Sequence, residues 1–243
     1  MMNKDENVNE NVILIASFDI GKKNFAFCIE EVDLSILKNL KSIKAEEKYE
    51  EDHTPTESMK ETLDSIYKSG KIILHKNNDL TKGLEEGKYF DYELCYNMTK
   101  VLDEHLKLWN KCSIFIIEEQ MAFRGKFNPM ALKLGQHCFS YFCINYGKHK
   151  ITTVFPSYHK TNVLGAPKTK TINKTGKTKW KCLGDKERKK WSIDVLKYIL
   201  QLRNDQDRLS IFNNKKKIKL DDLADVVVQL QAFKYLYFIE KSL

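Results

Sequence analysis

The sequence predicts an α/β protein in which one mixed β-sheet is covered by helices. Two apolar runs rich in β-branched residues, at 12–20 and 113–117, are typical of strands that are buried on both faces. Between and after these runs, apolar residues recur at steps of three and four, which is typical of amphipathic helices. Because strands come first and then alternate with helices, we expect a sheet that is parallel only in its strand–helix–strand portion.

Three strands are predicted before the first long helix. The run at 12–20 ends in a turn, and residues 25–30 can return as its hairpin partner. A third strand is predicted at 71–75. The preceding segment 45–61 contains seven acidic residues, two lysines and a proline, and it has no periodic apolar pattern. It therefore predicts an exposed insertion or linker within 43–70.

The later elements alternate between helix and strand. A helix is predicted at about 90–109, and the strand at 113–117 follows it. Asn128 and Pro129 are a favourable start for the next helix, because Asn can cap it and Pro fits its first turn, and Gly147 is a stop signal. The remaining predicted elements are a strand at 151–155 and helices at about 185–202 and 218–241.

Composition and charge indicate a globular protein with an anionic partner. The 243 residues are 42% hydrophobic, which is enough to build a core, and we expect a single domain over 1–243. Lys and Arg outnumber Asp and Glu by 41 to 33, and 13 of the basic residues but only two acids lie between 148 and 190. This stretch, with a basic loop at 165–183, is a candidate polyanion contact. The alternative interpretation is a solvated lysine-rich loop.

Several classes of protein are not expected from this sequence. No apolar run approaches 18 residues, so we expect no membrane span. The first twelve residues are polar and acidic, unlike a secretory signal, which indicates an intracellular protein. The six cysteines form no CxxC pair and the six histidines no HxH or HExxH pattern, so neither a zinc site nor a disulfide framework is expected.

Four carboxylates stand at the ends of predicted elements. Asp19 and Glu118 lie near the carboxyl ends of two buried strands, and Asp222 and Asp225 are three residues apart at the start of the last helix, on one face of it. An aspartate in an apolar strand is costly unless its charge is compensated, and a divalent cation would compensate it. Taken singly, each of these acids is better explained by a structural role, a turn cap at Asp19 and helix-dipole partners at Asp222 and Asp225.

Four motifs occur together in the sequence. They are Asp19-x-Gly-x-x-Asn, Ile-Glu-x-Gln at 117–120, Ala-Leu-Lys-Leu-Gly-Gln at 131–136 and Asp222-x-x-Asp225. This combination resembles the RuvC-type Holliday junction resolvases of the ribonuclease H-like superfamily, in particular their poxvirus and large-DNA-virus branch. The matching blocks are scattered from about residue 12 to 235, and the unmatched stretches are 43–70 and much of 165–183.

The resemblance implies a ribonuclease H-like mixed five-stranded sheet flanked by helices and a magnesium-dependent active site. Asp19, Glu118, Asp222 and Asp225 would be catalytic ligands of two Mg²⁺ ions, for which Mn²⁺ can substitute. Phe-Pro-Ser-x-x-Lys at 155–160 resembles the segment that places a catalytic lysine, here Lys160, beside the scissile phosphate. Two alternatives stay open, because Glu119 directly follows Glu118 and Asp221 directly precedes Asp222.

The resemblance also implies that the substrate is branched double-stranded DNA, above all four-way junctions cut by paired symmetric nicks. DNA contacts are expected from Lys22, Lys23, Arg124, Lys126, Lys160, Lys189 and Lys190, where the Arg-Lys-Lys run leaves the choice between the last two open. A four-way junction has two-fold symmetry, so a homodimer is expected, with the apolar face of helix 129–146 as the candidate interface. The site of action would be the host-cell cytoplasm if the source is a cytoplasmic DNA virus.

Three other functions remain to be separated from this one. The same fold could cut RNA–DNA hybrids or flaps. An actin-like ATPase or sugar kinase also begins with Asp-x-Gly, but it needs further Gly-rich phosphate loops, and none follows in this sequence. A junction-binding protein without chemistry is disfavoured because all four candidate acids are present.

Overall fold

A five-stranded mixed sheet forms the centre of the protein. The computed structural model describes residues 11–85, 91–120, 128–172, 176–213 and 219–243. The sheet strands are β1 Val12–Asp19, β2 Phe25–Asp33, β3 Gly70–Asn78, β4 Cys112–Glu119 and β5 Ile151–Pro156, in the order β3-β2-β1-β4-β5. The β1, β2 and β3 strands pair antiparallel, whereas β1, β4 and β5 run parallel. The predicted mixed sheet and its single parallel portion are confirmed.

Helices cover both faces of the sheet. The described residues form α1 Leu34–Lys38, α2 Glu57–Lys68, α3 Asp91–Asp103, α4 Leu106–Trp109, α5 Pro129–Tyr146, α6 Tyr158–Val163, α7 Asp185–Leu202, α8 Gln206–Asn213 and α9 Leu220–Lys234. The helix predicted at 129–146 begins where expected, since Asn128 Oδ1 accepts a hydrogen bond from Ala131 N at 3.2 Å. A π-helical turn, Tyr235–Glu240, continues α9. None of the described helices is both long and apolar enough to cross a lipid bilayer.

Two hydrophobic cores lie on the two faces of the sheet. Ile15 of β1 belongs to the core that α2, α7 and α9 cover, and Phe18 belongs to the core formed with α3 and α5. Because successive strand residues point to opposite faces, Asp19 lies on the same face as Ile15, toward α9. The sheet therefore presents the end of β1 to the helix that contains the other candidate acids.

The structure differs from the sequence-based expectation in three segments. The stretch 43–70 is not a linker, because it contains α2, which buries four apolar side chains in the first core. The segment at 90–109 forms two helices, α3 and α4, separated at 104–105. The basic loop at 165–183 contains a two-stranded antiparallel hairpin, β6 Thr169–Ile172 and β7 Thr178–Lys181.

The proposed interface stripe on α5 packs inside the chain itself. Leu134, Cys138 and Phe142 are fully buried in the second core. Ile144, on another side of this helix, is 82% exposed. The apolar periodicity of α5 therefore reflects a core helix, and it gives no support for an interface along that stripe.

A buried charge cluster joins three elements beside the middle of β1, where Glu30 pairs with Ile15. Glu30 of β2 accepts two hydrogen bonds from Arg203, which follows α7, at 3.0 and 3.1 Å, and one from Lys234 of α9 at 2.7 Å. Both Glu30 and Lys234 are completely buried. Burial alone would raise the pKa of Glu30, but the two cations and their hydrogen bonds lower it to about 2.

Candidate active site

Asp19, Glu118, Lys160 and Asp225 converge from four different elements. Phe18 of β1 pairs with Ile117 of the parallel strand β4, so the next residues, Asp19 and Glu118, lie side by side where both strands end. Lys160 comes from α6, which directly follows β5, and Asp225 comes from α9, which packs on β1. The carboxyl ends of the parallel strands thus place the candidate site at one edge of the sheet.

Lys160 lies at the centre of this group. Its Nζ is 3.1 Å from Glu118 Oε1 and 3.4 Å from Asp225 Oδ2. The Lys160 side chain is only 3% exposed, and those of Glu118 and Asp225 are 12% and 16% exposed. A buried ammonium is therefore held by carboxylates from two elements that are far apart in the sequence.

Three carboxylates, those of Asp19, Glu118 and Asp225, face the single ammonium of Lys160, and we call these carboxylates the acidic group. Burial, repulsion by the Glu118 carboxylate and a side-chain hydrogen bond with Glu118 raise the pKa of Asp19 well above its ordinary value. Burial alone would lower the pKa of Lys160, but the charges of Glu118, Asp225 and Asp19 raise it above its ordinary value. The site has excess negative charge, which favours the binding of a further cation.

Strand alternation decides between Glu118 and Glu119. Glu118 lies on the α9 side of the sheet, the same side as Ile116, and contacts Lys160. Glu119 is exposed, and a cleft that Gln120 and Gly135 line on the α5 side is bordered by both Glu118 and Glu119. The choice of Glu118 for the acidic group is therefore supported by the direction of the side chain.

Asp222 and Asp221 occupy different positions in the first turn of α9. Asp221 forms an ion pair with Lys189 of α7. Burial and repulsion by Asp221 raise the pKa of Asp222 to about 6, and its buried Oδ2 has no hydrogen-bond partner within the described part of the protein. Asp222 thus stands next to the group as a carboxylate with one buried oxygen that is not hydrogen-bonded within the described residues.

Four polar residues that the sequence analysis did not single out hold α9 against its neighbours. Ser192 Oγ of α7 donates to Asp225 Oδ1 at 2.6 Å. Gln229 Nε2 of α9 donates to Ser17 Oγ of β1 at 3.0 Å, and His75 Nε2 of β3 is 2.8 Å from the carbonyl oxygen of Leu223. A sequence signal existed for Ser192 alone, since it lies one helical turn after Lys189.

The predicted DNA-contact residues are only partly gathered around the site. Lys189 faces the first turn of α9, where its Nζ forms an ion pair with Asp221, and this hydrogen bond and charge raise the pKa of Lys189. Lys22 and Lys23 lie in the turn between β1 and β2, directly after Asp19. Arg124 and Lys126 lie outside the described residues.

The donor atoms suit a hard cation, but the side chains are not arranged around one. In the ranges that the structure describes, no three His, Cys or carboxylate side chains stand close enough to share a metal ion, and the Lys160 ammonium lies between Glu118 and Asp225. The available ligands are carboxylate oxygens, including the unpartnered oxygen of Asp222, which is the chemistry that Mg²⁺ prefers. The site therefore offers oxygen atoms of the kind that Mg²⁺ prefers, while in the described ranges Glu118 and Asp225 are held by Lys160.

Comparisons with known proteins agree with this architecture. No protein-family model matches the chain. "Uncharacterized protein 170L" of Invertebrate iridescent virus 6 is 36% identical over 248 residues, which cover 97% of this chain and 94% of that protein. Among solved structures, the yeast mitochondrial Holliday junction resolvase Ydc2 has a TM-score of 0.53 at 12% identity over 94% of this chain and 80% of its own. RuvC of Thermus thermophilus has a TM-score of 0.50 at 10% identity over 93% and 98%.

The sequence match shows the family of the chain, and the structural matches show its fold. The full-length similarity to protein 170L shows a common family, and the structural similarity to RuvC and Ydc2 confirms the fold that the sequence motifs predicted. The chain therefore belongs to the family of protein 170L of Invertebrate iridescent virus 6, and it has the ribonuclease H-like fold of the RuvC-type resolvases.

Proposed function

We propose that this protein is a magnesium-dependent endonuclease that resolves four-way DNA junctions by paired, symmetric nicks. The observation that supports this most strongly is the convergence of Asp19, Glu118 and Asp225 around Lys160 at the end of the central parallel strands. These residues come from distant parts of the chain, and a group of like charges at one point is unfavourable for folding alone. The cost is understandable if the group serves chemistry on a phosphodiester.

The substrate class is proposed from charge and from fold. The net charge of +8 favours a polyanionic partner, and Ydc2, which shares the fold, is a Holliday junction resolvase. Lys189 and the turn lysines Lys22 and Lys23 flank the acidic group in positions suited to phosphate contacts.

Asp19, Glu118 and Asp225, with Asp222 beside them, would hold the metal ions. Two Mg²⁺ ions, or Mn²⁺ in their place, would supply a water of lowered pKa and neutralise charge on the leaving oxygen. Lys160 would stabilise the negative charge that develops on the phosphate in the transition state. Ser192 would orient Asp225, since it occupies one of its two carboxylate oxygens.

The experiment compares cleavage of synthetic four-way junctions with cleavage of RNA–DNA hybrids and flaps in Mg²⁺. Asp225→Asn should reduce junction nicking at least about a hundredfold, the upper end of what loss of a supporting ligand partner costs. Junction binding measured without metal should be unchanged or tighter, because a negative charge facing phosphate is removed. Asp207→Asn, an exposed carboxylate on α8, is the matched control and should behave as the wild type.

Three results would contradict the proposal. Preferential cleavage of hybrids or flaps would assign a different substrate to the same site. Junction binding without any cleavage would indicate a protein without chemistry. Parallel loss of binding and cleavage in Asp225→Asn would mean that this carboxylate serves the fold.

A further inference from the structure

The hairpin formed by β6 and β7, here called the basic hairpin, has no hydrophobic face of its own. All four residues of β6 are exposed, and of the four residues of β7 only Trp180 is partly buried. A two-stranded hairpin that packs on nothing is marginally stable in water. Exposure of both faces therefore indicates that this element is built to contact something outside the chain.

The side chains of the basic hairpin define the charge of that partner. Residues 165–184 contain six lysines and no acidic residue. Lys170 pairs with Trp180 on one face, where its Nζ lies 5.5 Å from the centre of the indole ring. Lys179 and Lys181 are two residues apart on β7 and therefore point together from the opposite face. Lys170 Nζ also lies 3.4 Å from Glu51 Oε1, so its charge is partly balanced within the chain, whereas the opposite face presents Lys179 and Lys181 together.

The base of the basic hairpin is fixed to the body of the protein. Lys168 N donates to Asp52 O at 2.7 Å, and Gly165 approaches Pro55 so closely that a Cβ there would lie 2.5 Å from the proline ring. Gly165 also has φ +69°, a conformation that favours glycine. The segment 49–56 thus supports the stretch of chain that leads into the hairpin.

The position of the basic hairpin relates it to the candidate active site. The chain enters it from α6, which contains Lys160, and leaves it into α7, which contains Lys189 and Ser192. Lys160 contacts Glu118 and Asp225, Ser192 contacts Asp225, and Lys189 contacts Asp221 in the first turn of the same helix as Asp225. The hairpin therefore projects from the border of the site at which a phosphodiester would be cut.

We propose that the basic hairpin holds the phosphate backbone of a duplex arm next to the cut site, an inference that rests on the proposed function. A duplex is the partner that the geometry favours, because a two-stranded ribbon fits the major groove of B-DNA and lysines on both faces can reach phosphates on either side. Each lysine that neutralises a phosphate releases condensed counterions, so the contact should depend strongly on salt.

The first test is the salt dependence of binding. Lys179→Ala/Lys181→Ala should weaken binding to a plain duplex and to a four-way junction about tenfold or more at roughly 0.1 M salt, and it should reduce the slope of log affinity against log salt by about 2. Lys107→Ala/Lys111→Ala removes two exposed lysines near the amino end of β4, far from Glu118, and is the matched control. Its slope should equal that of the wild type.

The second test reports on the position of the hairpin directly. Trp180 is one of three tryptophans, and Trp109 is completely buried. Addition of duplex should quench tryptophan emission in the wild type, and most of this change should be absent in Trp180→Phe. Both variants alter exposed or half-exposed positions, so their thermal unfolding should match that of the wild type.

The outcomes separate this inference from the proposed function. If the wild type cuts junctions but the double lysine variant keeps its affinity and salt slope, the hairpin assignment is overturned and the resolvase proposal stands. If binding to single-stranded DNA falls as much as binding to duplex, the assignment to a duplex arm is overturned. If the wild type binds no DNA, both are overturned.

Discussion

At the scale of single residues, Lys160 has two roles that compete with each other. In the structure it neutralises part of the charge on Glu118 and Asp225, and its own charge opposes the rise in the pKa of Asp19. In the proposed reaction the same ammonium would face a phosphate, and the carboxylates would hold metal ions. Lys160 is therefore an internal counterion in the metal-free protein, which makes a prediction about stability that is independent of activity.

Lys160→Met should destabilise the protein in a chelator by about 3 kcal/mol, because removing one partner of a buried ion pair leaves uncompensated charge. Saturating Mg²⁺ should restore much of the lost free energy of unfolding, because a ligand at about 100 times its dissociation constant stabilises the folded state by about 2.7 kcal/mol. The measurement is the free energy of unfolding in urea, with and without Mg²⁺.

The control for this experiment is Lys133→Met, which removes an ammonium from an exposed pair with Asp91. It should change little with or without metal. Equal stability of Lys160→Met and the wild type in the chelator, with no response to Mg²⁺, would show that Lys160 is not the counterion of the acidic group.

The sequence was sufficient to find the acids but not their surroundings. Asp19 and Glu118 were recognisable because each ends a buried apolar run. The sequence could not decide between Glu118 and Glu119. A strand that is buried on both faces shows no polar and apolar alternation, so it does not reveal which residue faces which helix. Ser192 and Gln229 were missed because their function depends on contacts with residues 33 and 212 positions away.

At the scale of elements, the cluster around Glu30 fixes how the helices sit on the sheet. Glu30 of β2 is bound by Arg203 at the end of α7 and by Lys234 at the end of α9. Lys234 also donates to Ile66 O of α2 at 2.8 Å. The same two helices, α7 and α9, supply Ser192 and Asp225 to the candidate site. The Glu30 cluster therefore fixes the carboxyl ends of the helices whose other parts build that site.

Gly70, the first residue of β3, is required by this cluster. A Cβ at this position would lie 1.7 Å from Glu30 Oε1, and Glu30 cannot move away without leaving Arg203 and Lys234 unpaired. Gly70→Ala should therefore destabilise the protein by about 3 kcal/mol or more, the cost of overpacking together with a disturbed buried ion pair. Urea unfolding measures this difference.

Gly184→Ala provides the comparison, because a Cβ there would meet Glu187 Oε2 at 3.4 Å, an ordinary contact. Its free energy of unfolding should stay within about 1 kcal/mol of the wild type. A Gly70→Ala protein as stable as Gly184→Ala would mean that the Glu30 cluster can rearrange freely.

At the scale of the whole molecule, hydrophobic periodicity was sufficient to predict the fold. The same criterion gave wrong predictions for exposed polar segments. The sheet and the long helices α5 and α7 were predicted because each buries a continuous run or stripe. The basic hairpin was missed because its short strands bury almost nothing and so show no apolar alternation. In α2, the buried residues Met59, Leu63 and Ile66 have helical spacing, but the acidic residues before and among them concealed it.

The symmetry of the proposed substrate leads to a prediction about assembly. A four-way junction has two strands to cut, and one chain has one acidic group, so coupled cutting needs two copies related by a two-fold axis. Because the α5 stripe is buried within the chain, such an interface would use other surfaces. The protein should sediment at about 57 kDa, twice the chain mass of 28.5 kDa, at the concentrations where it cuts.

A cruciform in a supercoiled plasmid tests this coupling. Wild-type protein should cut both strands within one binding event and give mainly linear plasmid, because loss of supercoiling after one nick abolishes the junction unless the second cut follows quickly. Mixing wild-type and Asp225→Asn chains before assembly should give mainly nicked circles, since each mixed dimer has one competent site. Linear product from the mixture in the same proportion as from wild type, or cutting by a species of 28.5 kDa, would show that single chains act independently.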